Sequence, residues 1–345
     1  MRVGIIQNIN KRLLPFAARY QEILLFNKIA TDILDINDPA LFDKIRKLDL
    51  LIYIIPHKHT EKKWGKSLIY LVEKELGIKC IPSYDEIWHY DEKILQTWLF
   101  RSGSLPIVPS YIFFDKISAD RWLNSAPFPL IVKLSSGAGS WDVKMLKSYQ
   151  EAVRYTHKIF TTGFRQASNY IPKSGDQWWG RINHDIQASL KSIYRKIKGM
   201  ESNYYHETQL GYALFQYYLP GNSFDTRVNI IGNKALAFRR MNRPGDFRAS
   251  GSGMIDYSPE SIDKECIKIA FKVSKHLGFT NMAYDFIYDK NRLPNICEMT
   301  YLYSDSAVHD CPGYWDGNLL WHKGHSWPQY LHLQYLLNDL ILKQP

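Results

Sequence analysis

The segment MAYDFIYDKNRLPNICEMT, residues 282–300, contains two apolar stretches that each carry one acid. Residues 282–288 and 293–299 predict the two strands of a hairpin that turns at 289–292. A loop of two or four residues places Asp285 and Glu298 on the same face of this hairpin. Two carboxylates that point together repel each other unless a cation lies between them, and hard oxygen ligands favour Mg²⁺. The alternative is an exposed face with solvated acids, which the pair taken alone favours slightly.

A lysine followed by a loop of small residues precedes the hairpin in the chain. Lys133 ends the run 129–132, and the loop SSGAGS follows at 135–140. Such a loop lets backbone N–H groups approach phosphate oxygens, while a lysine at a strand end supplies a positive charge. Loops of this composition are also ordinary flexible connections. No GxxxxGK[ST] sequence occurs, which excludes a Walker A phosphate loop.

The first 84 residues alternate strand-like and helix-like patterns. Strands are predicted at 3–6, 31–36, 50–55 and 78–82, and helices at 13–26, 39–47 and 64–76. This order predicts parallel strands with crossover helices, a small α/β lobe. A Rossmann dinucleotide site needs a glycine-rich turn after the first strand, and residues 7–10 contain no glycine.

The pattern changes after residue 84. A single helix is predicted over 85–101, followed by extended segments at 106–114 and 128–134. Three antiparallel strands are predicted at 212–219, 224–231 and 234–241, and a helix that starts at Ser258 and Pro259 is stopped by Gly278. A basic, aromatic insertion is predicted at about 151–205 and a C-terminal aromatic and helical extension at 307–345, with its helix over 327–342.

Composition excludes several classes of protein. The 345 residues are 45% hydrophobic and 23% charged, as in a globular protein of about two domains. The balance of 44 Lys+Arg against 34 Asp+Glu gives a net charge of +10, which favours anionic ligands without choosing among them. No apolar run approaches the ~18 residues of a membrane span. The N-terminus does not read as a signal peptide, and four separated cysteines are expected to be free thiols, so cytoplasm is the expected location.

Together these features resemble the ATP-grasp superfamily, in the branch of RimK-like and glutamate-ligase-like carboxylate-amine ligases. The resemblance covers about residues 91–306. It implies an α/β protein in which two α+β lobes clasp ATP. The expected domains are a Rossmann-like pre-ATP-grasp lobe over 1–84, an ATP-grasp domain over 85–306, and the extension over 307–345.

The resemblance also implies roles for individual residues in nucleotide binding. Lys93 and Lys133 resemble the two nucleotide lysines of the family. The remaining implied nucleotide ligands lie in the phosphate loop, in the linker strand whose backbone recognises adenine, and in the G-x-x-x-D-x-R motif that starts at Gly221; they are Ser136, Gly137, Gly139, Gln216, Tyr217, Tyr218, Leu219, Asp225 and Arg227.

Further implied roles concern the catalytic arginines and the metal. Arg240 resembles the arginine that faces the triphosphate, with Arg239 beside it. Arg248 lies in a D-F-R sequence like that of the branch that joins glutamate, where it would hold the acceptor carboxylate or the oxyanion. Asp285, Glu298 and Thr300 fall at the metal-ligand positions. The family commonly has asparagine where this chain has Thr300, and a hydroxyl is a weaker ligand for Mg²⁺, so the choice between one and two metals stays open.

The implied reaction joins a carboxylate to an amine through an acylphosphate, with ATP and Mg²⁺, for which Mn²⁺ can substitute. The acceptor is expected to be small or glycan-linked, because the C-terminal tail resembles ATP-grasp proteins encoded with surface-polysaccharide enzymes. An ATP-grasp kinase that phosphorylates a hydroxyl is the alternative within the fold. A nucleic-acid-binding protein that uses residues 165–198 is the alternative of another class, although that segment lacks an RNP-like signature. No nucleic acid and no membrane span are expected among the partners, and the oligomeric state is left open.

The C-terminal tail permits one further hypothesis. A zinc site from His309, Cys311, His322 and His325 has suitable ligand types, but their spacing matches no common zinc pattern. Trp321 and Trp327 are expected either to pack the C-terminal helix or to wall the acceptor pocket.

Overall fold

The N-terminal lobe is built on a parallel sheet of four strands in the order β2-β1-β3-β4. Its strands are β1 (Val3–Ile6), β2 (Thr31–Leu34), β3 (Leu50–Ile52) and β4 (Lys79–Ile81). Its crossover helices are α1 (Pro15–Phe26), α2 (Leu41–Ile45) and α3 (His59–Lys74). Strands β1 and β3 are buried throughout, as their unbroken apolar runs require. The predicted parallel α/β arrangement is confirmed.

The computed structural model describes residues 1–137, 143–165, 208–249 and 251–345. Gly139 of the predicted phosphate loop lies outside the described residues. So do residues 166–205 of the predicted insertion, including almost all of the segment considered for nucleic-acid binding.

A second, smaller lobe contains an antiparallel sheet in the order β5-β10-β6-β7. Its strands are β5 (Ser110–Phe113), β6 (Leu130–Lys133), β7 (Val143–Leu146) and β10 (Ala213–Tyr217). Helices α6 (Lys116–Leu123) and α7 (Tyr149–Thr161) pack against it, and β8 (Phe164–Arg165) pairs with β9 (Thr208–Gln209). This lobe has its own hydrophobic core, separate from that of the rest of the chain.

The third sheet is the largest, in the order β15-β14-β11-β12-β16-β17, with β13 against β12. Its strands are β11 (Phe224–Ile231), β12 (Lys234–Met241), β13 (Ile255–Asp256), β14 (Asn281–Tyr288), β15 (Pro294–Thr300), β16 (Gly313–Asp316) and β17 (Trp321–Lys323). Helices α8 (Lys264–Leu277), α9 (Asp305–His309) and α10 (Pro328–Leu336) accompany it. Its core is continuous with that of the N-terminal lobe.

The prediction of three antiparallel strands over 212–241 is wrong in one respect. Strands β11 and β12 do form a hairpin, but β10 pairs with β5 and β6 in the smaller sheet. The linker at 218–223 therefore carries the chain from one lobe to the other. Local sequence could not reveal this, because an alternating pattern does not identify the partner of a strand.

The helix predicted over 85–101 is broken in two. Helix α4 (Tyr84–Ile87) ends before α5 (Lys93–Ser102) begins, and Asp91 in the interruption has φ +53°. Few residues other than glycine adopt this left-handed conformation. At this break the Asp91 side chain bonds Lys62 and the Gly137 N–H, which lie far away in the chain. Helix propensity depends on local sequence and could not predict these contacts.

The predicted helix start at Ser258 and Pro259 is a single 3₁₀ turn, Pro259–Ser261. Helix α8 begins five residues later, where the Asp263 side chain accepts a hydrogen bond from the backbone N–H of Glu265. It ends at Gly278, which has φ +71°, as the sequence predicts.

The C-terminal extension completes the large sheet and covers helix α1. Strands β16 and β17 were not predicted, and helix α10 is shorter than the predicted 327–342. Trp321 packs on Trp315, and Trp327 stacks on His309 and under the guanidinium of Arg19. These tryptophans pack the extension and do not wall a pocket with the residues described below.

The zinc hypothesis is wrong for the described residues. Cys311 is buried beside the carbonyl of Ala237, whereas His322 bonds Asp316. No three metal-binding side chains converge within the described ranges. All four cysteines are free, and among the described helices none is long and apolar enough to cross a membrane.

Glu86 ties helix α4 to the start of β14. Its carboxylate is 1% exposed and accepts hydrogen bonds from the backbone N–H groups of Ser83, Thr280 and Asn281, at 2.9, 2.7 and 2.8 Å. We expect Glu86→Ala to lower the free energy of unfolding by about 3 kcal/mol, because three buried donors lose their acceptor. Urea unfolding followed by tryptophan fluorescence measures this. Asp85→Ala, at an exposed position in the same turn, is the control, and an equal loss there would contradict the assignment.

Candidate functional site

Two adjoining cavities lie beside the large sheet: the inner one faces the smaller lobe, and the outer one faces the N-terminal lobe and the start of the predicted phosphate loop. The inner cavity has about 350 Å³ of space and the outer cavity about 650 Å³, open mouths included. Both are lined by Lys93, Gln96 and Glu298. Other inner residues include Phe100, Lys133, Leu214, Gln216 and Ile296; other outer residues include His57, Asp91, Gly137, Arg227, Arg240 and Thr300. The two cavities thus form one continuous cleft.

The two predicted nucleotide lysines enter this cleft from different elements. Lys133, at the end of β6, donates from Nζ to the carbonyl of Cys297 on β15 over 3.1 Å. Lys93, at the start of α5, donates from Nζ to the carbonyl of Gly137 over 2.7 Å. Within the described part of the chain, neither ammonium is paired with a carboxylate. Their positive charges are therefore available to an anion in the cleft.

The start of the predicted phosphate loop is anchored on several sides. The Ser135 N–H donates to the Tyr212 hydroxyl, and the Ser135 carbonyl accepts from the N–H of Lys93. The Ser136 hydroxyl accepts from Gln209. Gly137 has φ +123°, which requires glycine, and its N–H donates to Asp91 over 2.8 Å. The loop thus leaves the strand in a fixed direction.

A row of buried charges crosses the large sheet beside the outer cavity. Arg240 on β12 forms two hydrogen bonds with Asp225 on β11, at 2.7 and 2.6 Å. Arg227 on β11 binds Asp285 on β14 at 2.7 and 2.8 Å, and Arg240 also reaches Asp285 at 2.6 Å. Burial alone would raise the pKa of Asp285, but the charges of Arg227 and Arg240 hold it below its ordinary value. Asp285 is therefore an anion at neutral pH.

Asp285 and Glu298 lie directly opposite each other on β14 and β15, next to a bulge in the pairing. This agrees with the pairing predicted from the sequence. Glu298 lines both cavities, and its carboxylate makes no hydrogen bond to any described residue. Two neighbouring carboxylates supply only part of the six-oxygen shell of Mg²⁺. Of the two, Glu298 faces the cleft, whereas both oxygens of Asp285 accept hydrogen bonds from Arg227 and Arg240 here. Asp285 would therefore bind an ion only by giving up one of these bonds.

The third proposed metal ligand has a local partner. The Thr300 hydroxyl donates to the carbonyl of Leu302 over 2.9 Å and accepts from its N–H over 3.2 Å. Both functions of the hydroxyl are used in this turn. The arrangement gives no support to Thr300 as a ligand of a second metal, and the metal ligands stay a prediction.

The predicted adenine linker divides into two parts. Gln216 lies on β10 between β5 and β6, so its backbone groups face paired strands on both sides. Its side chain donates to the Ser110 hydroxyl over 3.0 Å. Tyr217 is still paired with β6, and its hydroxyl bonds that of Tyr111. Tyr218 and Leu219 lie beyond the strand. Backbone recognition of a base is thus open to the later residues of the linker.

Two predicted arginines bind neighbouring acids outside the cleft. Arg239 pairs with Asp256 and lies over the ring of Phe224, and its hydrogen bonds to the Asp256 carboxylate hold the pKa of that group below its ordinary value. Arg248 donates to Asp246 over 2.7 Å. Neither side chain lines either cavity. The role of Arg248 toward an acceptor stays a prediction.

Sequence reasoning missed two residues of the N-terminal lobe that contact Asp91 beside the outer cavity. His57 follows β3 and lies 3.6 Å from Asp91 and 3.1 Å from the Tyr90 hydroxyl. Lys62 on α3 is buried against Asp91. One signal was available, since loops after parallel strands commonly carry ligand-binding residues.

Comparison with known proteins identifies the architecture. No family model matches the chain. An uncharacterized protein of Mycoplasma pneumoniae, the MG012 homolog, is 25% identical over 205 residues, which are 54% of this chain and 70% of that protein. N5-carboxyaminoimidazole synthetase from Staphylococcus aureus has a TM-score of 0.57 at 11% identity, over 100% of this chain and 78% of that one. The ATP-grasp ligase PsnB, solved with its minimal precursor, Mg and ADP, has a TM-score of 0.53 at 12% identity, over 90% and 92%.

The lowered pKa of Asp285 makes the charge row sensitive to acid. Because its pKa is lower in the folded than in the unfolded chain, Asp285 stabilises the fold above about pH 4, and this contribution is lost as the pH falls further. We expect Asp285→Asn to lower the free energy of unfolding by about 2 kcal/mol at pH 7, and by less at pH 3.5.

Urea unfolding at both pH values measures this difference. Asp43→Asn, which removes an acid from an exposed ion pair, is the control and should have little effect. A loss of the same size at both pH values would contradict the ionised, arginine-bound state of Asp285.

Proposed function

We propose that this chain, which has the ATP-grasp fold of the structures it resembles, is an ATP-dependent carboxylate-amine ligase. It would form an amide through an acylphosphate intermediate. The observation that carries this proposal is the convergence of Lys93, Lys133 and Arg240 with the carboxylate of Glu298 in one cleft between two lobes. Transfer of a phosphoryl group requires this inventory of cations and metal ligands, and little covalent chemistry from the protein.

The base of ATP would lie at the inner cavity, which is narrow here and would widen to admit it. Leu214 and Ile296 approach it from opposite sheets, and Phe100 closes it. These apolar side chains can sandwich a flat ring, while the backbone of Tyr218 and Leu219 supplies polar groups at the edge. Lys133 lies at the same cavity, where it can reach the first phosphates.

The triphosphate would extend from there into the outer cavity. Lys93 and the backbone N–H of Ser136 would bind its oxygens, while the Gly137 N–H is held by Asp91. Arg240 is held by Asp225, so it presents its guanidinium in a fixed orientation and loses little freedom on binding. Asp285 and Glu298 would hold Mg²⁺, which neutralises the β- and γ-phosphates when bound. Mn²⁺ is expected to substitute, since it accepts the same oxygen ligands.

The acceptor carboxylate would enter the outer cavity near Arg227 and His57. Arg227 holds Asp285 through Nε and Nη2, so an acceptor carboxylate would bind its remaining N–H groups. A role for Arg248 toward the acceptor or the oxyanion requires it to leave Asp246. We retain a small or glycan-linked carboxylate as the acceptor class. A cytoplasmic location accords with the four free thiols and with the need for ATP.

Lys133 should be essential for turnover. Lys133→Met removes a charge that faces the phosphates, so we expect ADP formation to fall roughly a hundredfold, as for the loss of one transition-state donor. Coupled ADP release measures the rate, with circular dichroism as a check on folding. Lys144→Met, at an exposed position on the neighbouring strand β7, is the matched control. A folded Lys133→Met enzyme with wild-type turnover would remove this lysine from the site.

The reaction class is tested by trapping. A screen of carboxylates with hydroxylamine in place of the amine should give hydroxamate and ADP in equal amounts, because an acylphosphate reacts with hydroxylamine. Mass spectrometry identifies the products. A stable phosphomonoester of a hydroxyl substrate would instead show a kinase of the same fold and would contradict the ligase assignment.

A further inference from the structure

A buried ion pair lies where the N-terminal lobe meets the phosphate loop. Lys62 on α3 donates from Nζ to Oδ2 of Asp91 over 2.6 Å, and both side chains are 3% exposed. Lys62 lines neither cavity. The proposed phosphoryl transfer does not require this pair. A buried ion pair is by itself weak evidence for a role in stability.

The second oxygen of Asp91 reaches the loop. Its Oδ1 accepts a hydrogen bond from the Gly137 N–H over 2.8 Å, while the Gly137 carbonyl accepts from Lys93 over 2.7 Å. Both backbone groups of Gly137 are therefore held from residues 91–93. Asp91 makes this contact from a left-handed conformation, φ +53°. Strained backbone of this kind persists where surrounding contacts determine it.

We propose that Asp91 and Lys62 are positioning residues for nucleotide binding. Asp91 holds the start of the phosphate loop, and Lys62 fixes and neutralises Asp91, so that the N-terminal lobe is tied directly to the loop. This inference rests on the proposed function, because it assigns the loop to phosphate binding. It gives roles to two residues to which the family resemblance assigns none.

The charge balance around Asp91 explains why a lysine is needed. An unpaired carboxylate at the edge of the outer cavity would repel phosphates. The groups that face it are Lys62, Lys93, the His57 ring at 3.6 Å and the Gly137 N–H. Burial alone would raise the pKa of Asp91, but the His57 contact and the two lysines hold it below its ordinary value. Asp91 thus stays ionised, and Lys62 cancels its charge.

Nucleotide affinity and loop protection test this role together. The variants are Asp91→Asn, Lys62→Met and the double variant, and the probe is a fluorescent ADP analogue with Mg²⁺. We expect each single variant to bind the probe about tenfold more weakly, as when a supporting contact of a binding group is lost. The double variant should bind the probe no more weakly than whichever single variant binds it less well, because both changes remove the same Asp91–Lys62 contact. Hydrogen exchange in the peptide that contains Gly137 should become faster in all three.

The control is Asp256→Asn, which breaks an ion pair of the large sheet outside the cleft. It should change neither readout. Lys62→Met leaves a buried carboxylate unpaired, so thermal melting checks its folding. If it does not fold, the double variant, which removes both charges, decides the question.

Unchanged affinity with unchanged exchange would overturn the inference, provided that the wild-type protein binds the probe. Weaker binding with unchanged exchange would assign Asp91 to direct contact with the nucleotide, and faster exchange with unchanged affinity would make the pair structural only; each result overturns the positioning role. A wild-type protein that binds no nucleotide would contradict the proposed function itself, and the inference with it.

Discussion

The buried carboxylate of Asp285 lies between the guanidinium groups of Arg227 and Arg240, and the site is organised around this arrangement. An isolated charge at such a position would be strongly destabilising, so each member of the row requires the next. The row runs across β12, β11 and β14 and ends at Glu298, the member with no hydrogen bond to any described residue. The two buried acids and the two arginines of the row cancel each other's charge. Arg227, Arg240 and the carboxylate of Glu298 are the members that line the outer cavity.

The cleft itself depends on two separate hydrophobic cores. The smaller lobe packs around its own core, while the N-terminal lobe and the large sheet share another. Polar contacts span the gap between them, among them the hydrogen bonds of Lys133 to Cys297 and of Lys93 to Gly137. The two lysines that link the lobes here are also the ones that we propose to bind the phosphates.

Much of this could be predicted from the sequence, because the informative patterns are local. The parallel first lobe follows from its apolar runs, and the opposition of Asp285 and Glu298 follows from a short hairpin. The strand partner of β10 and the break at Asp91 could not be predicted, since both depend on contacts between residues far apart in the chain. For the same reason, Lys62 and His57 were missed, and the pairing of Arg248 with Asp246 was not foreseen. Which charged residues interact depends on their distance in space, and the spacing of residues in the sequence does not give that distance.

We expect a nucleotide to bind between the smaller lobe and the large sheet. A crystal structure of the protein with Mg²⁺ and a non-hydrolysable ATP analogue would show whether it does. We expect the base between Leu214 and Ile296, the phosphates within hydrogen-bond distance of Lys93, Lys133 and Arg240, and the metal on Glu298. A nucleotide bound elsewhere, for example at the edge of the N-terminal sheet beyond β1 and β3, would contradict this expectation.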